Sequence, residues 1–109
     1  MSSHYIWQTL PGPATDVAVG PDGGAWIIAP NGVIMQWTGA AWSEVPGAAK
    51  TICVAPGDVP WVVWTDDSLR YRAGTTWKTV VTPVPARDVA VDLGGVVWMI
   101  GTDSLIYHR

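Results

Sequence analysis

Several aromatic, basic and acidic residues could form a binding site in this 109-residue chain. An aromatic ring packs against the apolar face of a sugar, while arginine and carboxylate groups hydrogen-bond the sugar hydroxyls. The candidate ligand residues for this chemistry are Trp37, Trp64, Tyr71, Arg72, Arg109, Asp16 and Asp88. Further carboxylates stand in predicted turns, at Asp22, Asp58, Asp66, Asp67 and Asp103. These residue types supply the kinds of contact that a carbohydrate site needs.

An internal repeat positions these candidates. Tryptophan recurs every 35 residues, at Trp7, Trp42 and Trp77, and a second tryptophan follows each of them, at Trp26, Trp61 and Trp98. A fixed period of this length indicates that one supersecondary unit is used several times. The repeats cover about residues 7–41, 42–76 and 77–109, and together they form a single domain of residues 1–109.

Each repeat divides into four short strand candidates separated by turn residues. In the first repeat these cover roughly residues 7–10, 15–20, 25–29 and 33–37, with Pro11-Gly12 predicted as the first turn and Pro46-Gly47 as its counterpart in the second repeat. Asp-Gly, Gly-Gly and Asn-Gly pairs supply the positive φ angles that tight hairpins need. Apolar residues on both strand faces indicate sheets that are covered on both sides. The pattern predicts an all-β fold with three four-stranded antiparallel blades per chain.

The repeats resemble tectonin repeats. The resemblance is carried by PGPATDVAVGPDGGAWIIAPNGVIMQWTGAAW and its echo VPGAAKTICVAPGDVPWVVWTDDSLRYRAGTTW, and it extends from Trp7 to Arg109. It implies a β-propeller, often six-bladed, of the kind found in tachylectin-related lectins and in adaptor proteins. It also implies that the DVAV strand is innermost and the strand beginning with tryptophan outermost. The third repeat departs from the pattern, with an insertion around residues 82–84 and an expected one-residue shortening near Thr102.

This strand order predicts how the chain assembles. The third repeat has no outer strand after Arg109, whereas residues 7–10 are an outer strand without a blade. An open sheet edge exposes unpaired backbone groups and invites another strand. Propellers usually have about four to eight blades, so three blades are not expected to close on themselves. We therefore expect a homodimer that completes a six-bladed β-propeller by strand exchange at its two seams. A fragment of a longer propeller and an engineered unit are two other origins for the chain, and both still predict that a ring is completed by another chain.

The candidate ligand residues also have structural interpretations. The two repeated tryptophan series are expected to fill space between strands and blades. Trp37 and Trp64 have no tryptophan counterpart in the other repeats, which makes them the stronger ligand candidates. Asp16 and Asp88 precede the inner strand and could instead accept turn N–H groups. The two candidate arginines could be solvated or ion-paired.

Composition narrows the classes of partner. Apolar residues make up 49% of the chain and charged residues 14%, with a net charge of −3. A chain without a basic patch is not expected to bind nucleic acid, and the lack of a long apolar run argues against membrane insertion. Residues 1–4 lack the features of a secretion signal, which predicts a cytoplasmic or non-classically secreted protein. Cys53 is a single cysteine and is expected to be a small buried residue.

The sequence therefore predicts a lectin with several equivalent sugar sites between blades, and its expected partners are glycans and a second copy of the chain. The alternatives are a protein-interaction scaffold and a designed or fragment unit with no specific ligand. No nucleophile elbow, phosphate loop or HExxH motif appears, so we expect no enzyme activity. No zinc spacing and no full calcium loop appears either, so neither a cofactor nor a metal is expected.

Overall fold

A computed structural model describes residues 7–109, which form an all-β chain. The strands in this range are β1 (Asp16–Val19), β2 (Ala25–Ile28), β3 (Val33–Trp37), β4 (Trp42–Ala55), β5 (Val59–Trp64), β6 (Leu69–Ala73), β7 (Thr76–Val80), β8 (Ala86–Val91), β9 (Val97–Gly101) and β10 (Ile106–His108). Residues 1–4, on which the prediction about secretion rests, lie outside the described residues.

The strands form two antiparallel sheets. Strands β1 to β7 follow one another in a seven-stranded sheet, and β8 to β10 form a three-stranded sheet. Residues 42–48 of β4 pair with β3, whereas residues 49–55 pair with β5. We name the three strand groups blade 1 (β1–β3 with residues 42–48), blade 2 (residues 49–55 with β5–β7) and blade 3 (β8–β10). Within each blade the strands are numbered from the inner strand outward, so β1, β2 and β3 are the first, second and third strands of blade 1. In blades 1 and 2 the strand that begins with tryptophan lies at the edge opposite the inner strand, as the resemblance implied.

The connection from blade 1 to blade 2 differs from the prediction. Pro46-Gly47 was expected to be a turn, but β4 runs through it without interruption. The register shifts opposite Val33 and again between Ala49 and Thr51, so the strand bends from one blade into the next instead of ending. Between blades 2 and 3 the inserted residues 82–84 do interrupt the strand, so β7 and β8 are separate strands.

The predicted strand at residues 7–10 is absent from the single chain. These residues take part in no strand pairing, and the side chain of Trp7 is 97% exposed. A strand needs a neighbour for its backbone N–H and C=O groups, and the described residues of one chain supply none here. Residues 7–10 were expected to pair with the last blade of another chain, and that pairing stays a prediction.

The expected shortening near Thr102 is also wrong. In the turn between the second and third strands, the side chain of Asn31 accepts the backbone N–H of Val33 at 3.2 Å. Asp66 and Asp103 accept the N–H two residues further along in blades 2 and 3, both at 3.0 Å. This side-chain-to-backbone bond stabilises the same turn in all three repeats. The three turns are equal in length, although only the first contains an Asn-Gly pair, by which a tight turn is easily recognised in the sequence.

Apolar side chains between adjacent blades form the core. The layer between blades 1 and 2 includes Trp26, Ile34 and Val62, and the layer between blades 2 and 3 includes Trp61, Leu69, Val89 and Met99. Small residues on one blade face leave room for branched residues of the next. Ala18 of blade 1 packs in the layer that holds Ile52 and Val54 of blade 2. A small residue of blade 1 therefore lies against branched residues of blade 2.

Cys53 occupies the same place as Ala18, one blade further along. Burial raises the pKa of its thiol to about 12, with a further contribution from the negative charge of Asp88. Because only the thiolate reacts, we expect Cys53 to label slowly with iodoacetamide at pH 8 in the folded protein and rapidly in denaturant. Mass spectrometry of timed samples measures both rates. Equal rates would contradict the partly buried position of the thiol.

Candidate functional site

A crevice lies between blades 1 and 2 on the side of the β4–β5 turn. Trp26 and Gln36 of blade 1 and Asp58 and Arg72 of blade 2 line this crevice, whose volume is about 350 Å³. Trp26 and Gln36 face each other on neighbouring strands. We call it the first crevice. A carboxylate, an amide and a guanidinium around an indole provide hydrogen-bond acceptors and donors for a polar ligand.

Asp58 is held in this crevice by an unusual backbone. Its φ angle is 59°, whereas Gly23 and Gly95 hold the same position in the other repeats, with φ angles of 89° and 83°. An L-residue rarely adopts this left-handed region, and such strain often marks functional sites. The indole N–H of Trp26 donates to the Asp58 carboxylate at 3.4 Å. The carboxylate lies so close to Gly24 that a side chain there would overlap it.

A second crevice of the same construction lies between blades 2 and 3. Trp61 and Tyr71 form one wall, with stacked rings whose centroids are 4.9 Å apart, and the turn at Gly94 and Gly95 forms the other. Its volume is also about 350 Å³. The two crevices share their position in the repeat, but the second has glycine where the first has Asp58. They therefore offer different polar groups to a ligand.

The candidate ligand residues are divided between different surroundings. Arg72 lines the first crevice and Tyr71 the second. Trp64 instead packs in the apolar layer between blades 1 and 2, with its ring 5.8 Å from that of Trp77. Trp37 packs against the ring of Trp42 at 4.9 Å. Neither Trp37 nor Trp64 lines one of the two crevices, because each fills space beside an outer-strand tryptophan.

Asp16 and Asp88 connect neighbouring blades. One carboxylate oxygen of Asp16 accepts the backbone N–H of Ile52 in blade 2, at 3.0 Å. Asp88 of blade 3 accepts the hydroxyl of Thr51 in blade 2, at 3.1 Å. Thr51 is the residue that replaces aspartate in the second repeat, and here it acts as the donor. The hydrogen bonds of both aspartates therefore join the inner strands of adjacent blades.

Arg109 lies at the open edge of blade 3. Its backbone N–H donates to the carbonyl of Val97 at 3.0 Å, and its side chain lines an open cavity of about 290 Å³. We call this the edge cavity. Its remaining lining residues come from blades 2 and 3 and the connection between them: Leu69, Val80, Val81, Thr82, Pro83, Val97, Met99, Tyr107 and His108.

The turn carboxylates lie at opposite ends of the blades. Asp22 and Asp58 belong to turns between first and second strands, whereas Asp66, Asp67 and Asp103 belong to turns between second and third strands. Successive turns of an antiparallel sheet lie at opposite ends. A hydrogen bond from Tyr107 lowers the pKa of Asp103 and raises that of Tyr107. The turn carboxylates are therefore divided between the two ends of the blades.

Two residues of the first crevice, Gln36 and Asp58, are ones that sequence analysis did not single out as ligands. Asp58 was noted only as a turn carboxylate. The signal in the sequence was its replacement of a glycine that the other two repeats keep.

Among residues 7–109, no group of three or more His, Cys, Asp and Glu side chains is placed to hold a metal ion. In the same range no helix is long and apolar enough to cross a bilayer.

The stacked antiparallel blades and their crevices define a protein of the β-propeller class. The structure is similar to that of YCF48 bound to D1 peptide, with a TM-score of 0.74 and 15% identity over 94% of this chain. It is also similar to the extracellular domain of BT3049 from B. thetaiotaomicron, with a TM-score of 0.57 and 11% identity over 88% of this chain. This chain spans 38% and 16% of those two chains, respectively. No protein-family model and no curated protein matches the sequence.

Proposed function

We propose that the chain is a carbohydrate-binding lectin of the tectonin type, and that the first crevice is its principal sugar site. One observation carries the proposal. Asp58 stands where the other repeats have glycine, and it adopts the positive φ angle of that position. Asp58 also lines a crevice together with Gln36 and Arg72. A strained polar residue in a cleft of ligand size is a candidate for recognition. The crevice lies within a single chain, so each copy carries one complete site.

The Asp58→Gly variant tests this site. It restores the glycine of the other repeats, so we expect the free energy of unfolding to stay within about 1 kcal/mol of the parent value. A hydrogen bond to a charged group contributes about 1.5–3 kcal/mol, so the affinity for the best glycan should fall about tenfold or more. A glycan array identifies the ligand, and calorimetric titration measures both affinities.

Arginine variants provide a matched comparison. Arg72→Ala removes the guanidinium from the crevice, whereas Arg87→Ala removes an exposed arginine whose partner is Ser104, at 3.2 Å in blade 3. Only Arg72→Ala is expected to weaken sugar binding. The absence of binding to any glycan, or equal loss in both arginine variants, would contradict the proposal.

We further propose that two chains close into a six-bladed ring. The two end faces of the three blades support this closure. Val17 and Val19 of blade 1 are largely exposed, although the equivalent Ile52 and Val54 of blade 2 are buried against blade 1. At the other end Trp98 is 41% exposed, although its equivalent Trp61 is buried against blade 3.

The two exposed faces are therefore versions of surfaces that already pack on each other twice inside the chain. Burial of both in a ring supplies an apolar interface that we expect to exceed about 2,000 Å². Light scattering should give twice the chain mass of 11.7 kDa. Two copies of the first crevice on one ring would raise the avidity for a glycan-coated surface.

A protein-interaction scaffold is the second candidate. It is favoured by the similarity to YCF48, whose structure contains a bound D1 peptide. Under this alternative, the ring would bind immobilised extended peptides. Neither the parent protein nor the Asp58→Gly variant would bind any sugar on a glycan array. Side-by-side peptide and glycan arrays distinguish the two functions.

A further inference from the structure

We propose that the edge cavity is the receptor for the Trp7 side chain of a second copy of the chain. The inference rests on the ring put forward above and identifies the residues that close its seams. It follows from the way in which blades 1 and 2 hold their own outer-strand tryptophans. In both blades a tryptophan at the start of the outer strand is anchored by contacts that recur at the same repeat positions.

Trp77 shows the anchoring in blade 2. Its indole N–H donates to the carbonyl of Pro46 at 2.6 Å, and the guanidinium of Arg72 lies 5.2 Å from its ring centre. The ring packs in the apolar layer that contains Ile34 and Val45. A cation over an indole face adds an electrostatic attraction to this burial. The tryptophan thereby fastens the outer strand of blade 2 to the connection that arrives from blade 1.

Trp42 has the same anchor in blade 1. Its indole N–H donates to the carbonyl of Pro11 at 2.9 Å, and its neighbour on the third strand is Trp37. Pro11 and Pro46 are 35 residues apart, as are Trp42 and Trp77. The indole-to-carbonyl bond is thus a property of the repeat.

The equivalent positions one repeat further along the chain line the edge cavity. The residues equivalent to Ile34, Val45, Pro46, Gly47 and Arg72 are Leu69, Val80, Val81, Thr82 and Arg109, and all five of these line the cavity of about 290 Å³. Val81 is 98% exposed. The surroundings that hold Trp77 between blades 1 and 2 are therefore reproduced between blades 2 and 3, where the described residues 7–109 supply no outer strand for blade 3.

Trp7 fits this position by its place in the repeat. It precedes Trp42 by the same 35 residues that separate Trp42 from Trp77, and its side chain is 97% exposed in the single chain. The pairings of Trp42 with Trp37 and of Trp77 with Arg72 place Trp7 opposite Arg109. In that register Leu10 lies opposite Ile106, an apolar residue that is 72% exposed.

This pairing is β-strand addition, in which main-chain bonds hold an extended segment and a pocket selects its side chain. The partner's Trp7 indole donates to the Val81 carbonyl, and the Arg109 guanidinium covers its ring. The partner's Leu10 then covers Ile106. The segment recognised has tryptophan and leucine three residues apart, and the second copy supplies it.

Engineered disulfides test the register. The pairings of Ser43 with Gln36 and of Lys78 with Tyr71 place Gln8 opposite His108. Directly opposed residues have Cβ atoms about 4.5–5.5 Å apart, close to the spacing that a disulfide needs. We expect Gln8→Cys with His108→Cys, in a Cys53→Ala background, to oxidise to a covalent dimer with two interchain disulfides. The Cys53→Ala change is mild because Ala18 and Ala90 hold the same position.

A one-residue shift in the pair is the control. Thr9→Cys with His108→Cys places the second thiol on the other face of the strand, so we expect at least tenfold less cross-linked product. An intrachain disulfide in a monomer, equal cross-linking of both pairs, or no cross-link in either pair would overturn the proposal. Non-reducing electrophoresis with peptide mapping reads all of these outcomes.

A free peptide provides a second test that does not depend on folding of a variant. An acetylated peptide of residues 7–13 in excess should convert the parent ring into peptide-capped monomers, whereas the same peptide with alanine in place of tryptophan should not. Equal effects of the two peptides, or no effect of either, would count against the receptor. Because the first crevice lies within one chain, sugar binding can be measured on the capped monomer. A failed seam and a failed sugar site are therefore separable.

Discussion

Replacement of Trp7 by alanine is expected to split the assembly into single chains. Trp7 is 97% exposed in one chain, so its truncation costs the isolated chain almost nothing. In the proposed ring each Trp7 is buried in the edge cavity of the other chain. Loss of a buried tryptophan costs about 3–5 kcal/mol, and a ring contains two seams, so the dimer dissociation constant should rise by a factor of at least about 100.

Light scattering at several concentrations measures the effect. The parent should have twice the mass of 11.7 kDa, and Trp7→Ala should approach 11.7 kDa at micromolar concentration. Gln8→Ala is the matched control, because it changes the adjacent exposed residue without touching the proposed anchor. A monomeric parent, or a Trp7→Ala protein that remains a dimer at nanomolar concentration, would refute the exchanged seam.

Replacement of Gly47 by alanine is expected to cause a large loss of stability from a single methyl group. Gly47 has a φ angle of 139°. A Cβ atom there would lie 2.6 Å from the Trp64 ring, 3.0 Å from the indole nitrogen of Trp77 and 3.1 Å from Ile34. All three neighbours belong to the layer between blades 1 and 2.

Two costs add at this position. Overpacking a filled core costs about 1–3 kcal/mol, and forcing an L-residue into a left-handed backbone costs about 1–2 kcal/mol. The free energy of unfolding should therefore fall by about 2–5 kcal/mol in urea titrations. Protein concentration must be equal in all samples because assembly contributes to apparent stability.

Gly39→Ala separates these two costs. Gly39 has a φ angle of 98°, and no neighbouring atom lies within 4 Å of the place that an alanine methyl group would occupy, so only the backbone cost remains. The difference between the two variants then measures the clash with the two tryptophans. Equal losses in both variants would show that the layer around Gly47 can relax around a methyl group.

Much of the fold could be predicted from local chemistry. The strand predicted at residues 33–37 is found as β3 at Val33–Trp37. The strand predicted at residues 25–29 is found as β2 at Ala25–Ile28. Turn residues on either side of these short apolar runs limit where each strand can begin and end, which explains the agreement. The all-β propeller architecture follows because the same pattern recurs three times.

The candidate site was harder to predict, because its residues come from neighbouring blades. Gln36 and Asp58 are 22 positions apart in the chain, and the first crevice brings them together only when blade 2 packs on blade 1. Trp64 was a strong ligand candidate because the other two repeats have no tryptophan at the equivalent position. The structure packs it against Trp77 beside Gly47, where a side chain larger than hydrogen would not fit.

By itself the sequence determined the repeat, the strand positions and the apolar blade faces, since periodicity and turn chemistry are local properties. Only the tertiary structure decided which polar groups share a crevice, that β4 continues through Pro46-Gly47, and that Asp16 and Asp88 bond to adjacent blades. These features depend on the distance and angle between packed blades. That geometry arises from contacts among residues far apart in the chain, so no local pattern encodes it.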